Sequence, residues 1–172
     1  MDKEAEERTR EFVEELDREL RERMRRALYA FCMDPEDERK RQDVLDQVMS
    51  ACLYNTICFT TGSINDQNVF CPDRVYVPEC SGYAYTVYTE KTDENSLGKV
   101  LFHLSWRDLL RMAVKTEGII GIQMNPAGDH PVLLITAQNL KDIIRAADEA
   151  IQKHNPEMEE DLKKYQVWDP KD

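Results

Sequence analysis

The sequence predicts an α+β fold: a mixed, mainly antiparallel sheet of five to six strands packed with helices, and a long charged helix at the N-terminal side. Three observations carry this. Apolar residues recur at helical spacing in four long segments. Between residues 56 and 104 the pattern changes to short β-rich runs separated by turn residues. Residues 103–147 then read as a helix–strand–strand–helix unit centred on Gly121-Ile122-Gln123-Met124-Asn125-Pro126.

Residues 3–32 form the first predicted helix. Phe12, Leu16, Leu20, Met24, Leu28 and Phe31 make a narrow apolar stripe, and the remaining positions are dense in Glu–Arg pairs three and four apart, such as Glu15–Arg18, Glu19–Arg23 and Glu22–Arg26. So narrow a stripe can pack on its own domain or on another helix; packing at home is the expectation. Asp34-Pro35-Glu36-Asp37 restarts the helix, with Asp34 as the cap and Pro35 in the first turn. The second helix runs to Ala51 or Leu53, with Val44, Leu45, Val48, Met49 and Cys52 on its apolar face.

Thr56–Thr60 is the first strand, stopped by Thr61-Gly62-Ser63. Arg74–Val77 is the second, ended by Pro78. Tyr83–Thr89 is the third, with Tyr83, Tyr85 and Val87 on one face and Ala84, Thr86 and Tyr88 on the other. Lys99–Leu104 is a weaker fourth. Residues 61–73 and 90–98, rich in Asn, Asp, Ser, Thr and Gly, are expected to be exposed loops. Ser105 caps a helix that ends near Thr116, with Asp108 reaching back. Ile119–Met124 and Val132–Ile135 form an antiparallel hairpin around Asn125-Pro126-Ala127-Gly128-Asp129. Thr136 caps the last long helix, whose apolar face is Leu140, Ile143, Ile144, Ala147 and Ile151, and Asn155-Pro156 ends it before a short acidic helix, 157–165. The domain organisation is a charged helical extension over 1–40, an α+β domain over 41–155 and an acidic tail over 156–172.

The chain of 172 residues suits one domain with appendages. Its formal net charge is −11: residues 1–40 and 148–172 each contribute −4, and the longer middle only −3. That balance repels phosphate backbones and anionic lipid, so neither nucleic acid nor membrane is an expected partner. It favours a protein partner, and a basic one in particular. No secretory h-region opens the sequence, and every apolar run falls far short of the ~20 residues a membrane span needs, so a cytoplasmic protein is expected.

The five cysteines, Cys32, Cys52, Cys58, Cys71 and Cys80, are odd in number and irregularly spaced, which predicts reduced thiols. None pairs with His103, His130 or His154 at zinc-finger spacing, so no metal or other cofactor is expected. Cys58 or Cys80 could meet His103 in space, but Cys58 sits in an apolar run that reads as buried; Cys71 and Cys80 lie in loop-like segments, open to oxidation. There is no nucleophile elbow and no phosphate-binding glycine loop: Gly118-x-x-Gly121 lies in a β-run and opens no helix. Glu14-Glu15 and Glu159-Glu160 are solvated surface charge. Trp106 is expected to pack across its helix start and the Tyr83–Tyr85 face to point at the core. Arg107, Arg111 and Lys115 form a basic stripe expected to meet the acidic flanks of the same chain. No catalytic residue is assigned.

The order of elements resembles the N-terminal domain of the enhanced serine sensitivity (SseB) family over residues 41–147. The resemblance is carried by Arg74-Val75-Tyr76-Val77-Pro78, Tyr85-Thr86-Val87-Tyr88-Thr89-Glu90, Leu104 to Leu110, Gly121 to Pro126 and Leu133-Leu134-Ile135. Tyr88 stands where the family prefers Phe, and Met124 replaces a β-branched residue. The resemblance implies a bacterial or phage-borne cytosolic domain that is not an enzyme and acts through protein contacts; the family supplies no catalytic residues to carry over. The expected function is accordingly an accessory or regulatory protein-binding module, with a homo-oligomer through helix 3–32 as one form of contact. The alternatives are an immunity- or antitoxin-type inhibitor that masks a basic protein, and a thiol-redox protein or enzyme using Cys58, Cys71 or Cys80.

Overall fold

The structure is a computed structural model that describes residues 2–89, 100–125 and 132–171. The helices are α1 (Lys3–Met33), α2 (Glu38–Leu53), α3 (Trp106–Lys115), α4 (Ala137–His154) and α5 (Glu159–Lys164). The strands are β1 (Ile57–Ile64), β2 (Phe70–Pro72), β3 (Arg74–Val77), β4 (Gly82–Val87), β5 (Leu101–Ser105), β6 (Ile119–Met124) and β7 (Leu133–Thr136). The fold is α+β, as the sequence predicts.

The strands divide into two sheets instead of the single one expected. One has the order β2-β1-β5 and is antiparallel; the other has the order β3-β4-β6-β7, with a parallel β4–β6 pair at its centre. A lone antiparallel bridge between Phe59 and Tyr88 links them: each backbone N–H donates to the other's carbonyl, at 3.2 and 2.7 Å. The expected loop 61–73 is a second correction, because β1 runs through Thr61-Gly62-Ser63 and turns back into β2. Gly62 does not stop the strand. It gives Phe70 room to lie across it, since a Cβ there would sit 2.5 Å from the Cys71 carbonyl oxygen and 2.7 Å from the Phe70 ring. The turn is built by Asn65, whose side-chain oxygen accepts from the backbone N–H groups of Gln67 and Val69 at 3.0 and 2.9 Å. The expected loop 90–98 lies outside the described residues, as does the hairpin turn from Pro126 onward.

The helix–strand–strand–helix unit is present as α3–β6–β7–α4. Ser105 caps α3 by accepting from the Asp108 N–H at 3.1 Å, and Thr136 caps α4 by accepting from the Asn139 N–H at 3.3 Å. The cap of α2 moves three residues, from the expected Asp34 to Asp37, which accepts from the Arg39 N–H. Asp34 precedes a proline, which favours extended backbone, and instead ends α1.

Helices α2, α3 and α4 pack with the four-stranded sheet around one core that includes Val44, Val48, Leu109, Leu110, Ile122, Ile135 and Leu140, all fully buried. Met24, Leu28 and Phe31 of α1 join that core, and Val167 and Trp168 pack against it, so residues on both sides of position 40 share it. Strand β4 is buried on both faces from Ala84 onward, as its central place beside a parallel neighbour requires, while Tyr83 at its start is exposed. Tyr85 therefore faces the core as expected and Tyr83 does not. Among the described residues, no helix is long and apolar enough to cross a membrane.

Candidate interaction surface

Helix α1 has two halves in different surroundings. From Leu20 onward, Leu20, Met24, Leu28 and Phe31 are buried, and the helix packs on α2. Before Leu20 no residue is buried: Phe12 is 66% and Val13 56% exposed, and Leu16 is half-buried. The expectation that the stripe packs at home holds for the second half only. Residues 3–19, at 1.5 Å per residue, extend the helix by roughly 25 Å beyond that packing. Such a segment is held helical by propagation from the packed half, by the Asp2 side chain accepting from the Glu4 N–H, and by spaced ion pairs such as Arg8–Glu4 at 3.6 Å and Arg21–Asp17 at 3.0 Å.

Charge also divides along the helix. Residues 3–17 carry seven acids and three bases; residues 18–26 carry five arginines and two glutamates. The arginine-rich part borders a groove of about 700 Å³ whose lining includes five arginines, the three glutamates Glu15, Glu19 and Glu22, and Phe59 and Thr89. A second groove, about 310 Å³, lies between α2 and α4 and is lined by residues that include Leu45, Met49, Ile143, Asp46 and Asp142.

The basic stripe on α3 is internal. Arg107 donates to the carbonyl oxygens of Cys52 and Leu53, closing the exposed end of α2, and burial pulls its pKa down. That contact differs from the expected acidic flank: the carbonyls at the C-terminal end of α2 take the guanidinium instead. Arg111 does meet a flank acid: its Nη2 lies 3.0 Å from Asp148 Oδ1, while Asp148 Oδ2 accepts from the Trp168 indole at 3.2 Å. Burial raises the Asp148 pKa, outweighing the lowering effects of Trp168 and Arg111. Trp106 is buried in the core, as expected of a helix-start tryptophan.

Cys58 is not brought to His103. Cys58 pairs across β1–β5 with Leu104, and His103 pairs with Phe59, so the Cys58 and His103 side chains leave opposite faces of the sheet. Burial pushes the Cys52 thiol up to about 12 and the Cys58 thiol higher still. Cys71 and Cys80 are exposed. No group of three metal-ligating side chains occurs among the described residues.

Asn125, the best marker in the sequence motif, works as a clamp. Its side chain accepts from the Thr89 N–H at 3.0 Å and donates to the Thr89 hydroxyl at 3.1 Å, and its own N–H donates to the Val87 carbonyl at 2.8 Å. It ties the ends of β4 and β6 together in a left-handed conformation (φ 47°) that Asn tolerates. The Asn-Pro signal pointed at the turn, but nothing local in sequence marks Thr89 as its partner.

No family model, no curated protein and no solved structure matches this chain.

Proposed function

We propose that the chain is a non-enzymatic, cytoplasmic protein-binding module whose contact element is the N-terminal half of α1. The observation that carries this is the continuation of one apolar stripe past Leu20, leaving Phe12 and Val13 exposed on a segment in which no described residue is buried. Scattered exposed apolar residues are ordinary on a protein surface; a stripe that is core for four residues and then continues unpartnered is a contact face. The element order that resembles SseB N-terminal domains, over residues 41–147, supports a protein-binding role but does not extend to α1. The acidity of residues 3–17 favours a cationic surface on the partner, speeding encounter and fixing orientation.

Site-specific photo-cross-linking tests this. A benzophenone side chain in place of Phe12 should give one discrete protein adduct on irradiation in cells, whereas the same group in place of the exposed Tyr54 should not. Equal or absent adduct formation at the two positions overturns the reading.

A further inference from the structure

We infer that the partner of the α1 arm is a second copy of this chain, bound antiparallel, so that the acidic half of each α1 lies along the arginine-rich segment of the other. The inference rests on the proposed reading of the arm as the contact element and names its occupant.

Three observations support it. First, the arm needs a cationic surface, and the strongest concentration of cationic side chains within α1 is Arg18, Arg21, Arg23, Arg25 and Arg26 in residues 18–26. Second, only one orientation satisfies both halves. Parallel pairing sets residues 3–17, net −4, against their own copy; antiparallel pairing sets them against residues 18–26, net +3, twice over. Third, the space exists: the groove of about 700 Å³ beside the arginines has Phe59 and Thr89 as its other wall, an apolar and a hydroxyl surface for a helix to lie on.

The intrahelical ion pairs do not forbid this exchange. Arg21, Arg23 and Arg25 are 41%, 55% and 53% exposed, and exposed pairs of this kind contribute little, so the arginines can be shared with a partner's carboxylates at small cost. An antiparallel pair is also isologous and closes as a dimer, with no free arm left to recruit a third copy. Phe12, Val13 and Leu16 supply a modest apolar contact from each copy, so the association depends on charge and on concentration.

Sedimentation velocity of the full chain across concentration and salt tests the inference. One variant carries Glu4→Lys, Glu6→Lys and Glu7→Lys; a second carries Arg21→Glu, Arg23→Glu and Arg25→Glu; a third carries all six. The wild type should dimerise at low salt and weaken about tenfold in high salt, and each single-sided variant should weaken about tenfold at low salt. The six-fold variant should recover wild-type association, since its two halves are again opposite in sign. Circular dichroism confirms that each variant remains folded, and Phe12→Glu, which touches no core residue, gives an independent loss of dimer. A wild type that stays monomeric at hundreds of micromolar, a dimer indifferent to salt and to both reversals, or a six-fold variant no better than its parents overturns the inference. A monomeric wild type that still gives a discrete Phe12 adduct with another protein overturns the self-association alone; loss of both overturns the module reading as well.

Discussion

Replacing Arg111 by methionine isolates the buried ion pair between α3 and α4. Asp148 and Arg111 side chains are 4% and 13% exposed, their closest atoms 3.0 Å apart, and the Trp168 indole occupies the second carboxylate oxygen. Arg111→Met leaves a buried carboxylate with the indole alone. Removing one partner of a buried pair costs about 3–5 kcal/mol. At about 2–4 °C per kcal/mol for a chain of this size, the Tm should fall by about 6–20 °C. Arg111→Met with Asp148→Leu removes both charges and should return to within about 1 kcal/mol of wild type. The pH dependence has a definite sign. Burial raises the Asp148 pKa, so its contribution to stability is fully present at low pH and is lost as pH rises through the folded value. Arg111 opposes that rise, and without it the pKa climbs further. The deficit of Arg111→Met should therefore grow from acid toward neutral pH. Urea unfolding followed by tryptophan fluorescence measures all of this. A deficit below about 1 kcal/mol at neutral pH, or one that does not change with pH, refutes the reasoning.

Gly121→Ala should destabilise by about 3 kcal/mol, read by thermal unfolding, because a Cβ at this position collides with the Ile135 carbonyl oxygen where β6 and β7 approach. Asn125→Gly should cost about 1–2 kcal/mol through its two lost side-chain bonds to Thr89, and Asn125→Ala about 1 kcal/mol more for the left-handed backbone; equal losses in urea unfolding would remove the conformational part of that account. In the native chain, Cys71 and Cys80 should react fastest with a thiol reagent near neutral pH, and Cys52 and Cys58 only on unfolding, since burial holds Cys52 at about 12 and Cys58 above it. Fast native modification of Cys58, mapped by mass spectrometry, would revive the thiol-redox alternative.

Legibility followed the range of the interaction that fixes each feature. Helices α3 and α4 and the caps at Ser105 and Thr136 are set within a few residues, and their patterns were readable to within a residue or so, while the start of α2 was misplaced by three residues. The split into two sheets was not, because it is set by pairings such as β1 with β5 and β4 with β6, whose partners lie tens of residues apart. Nor were Arg107 on the end of α2 and Asn125 on Thr89, where partners lie tens of residues apart. The interaction surface was half legible. The stripe from Phe12 to Phe31 and its charges stand in the sequence, but a continuous stripe cannot state where the domain beneath it ends. That boundary at Leu20 is a tertiary fact.

Because the same helix anchors at one end and projects at the other, its two halves answer to different selection. Substitutions at Leu20, Met24, Leu28 or Phe31 act on whether the chain folds, while those between Lys3 and Glu15 fall on exposed positions, where substitutions usually change stability little. The projecting half is a rod that the fold supports but whose residues 3–15 add nothing to the buried core.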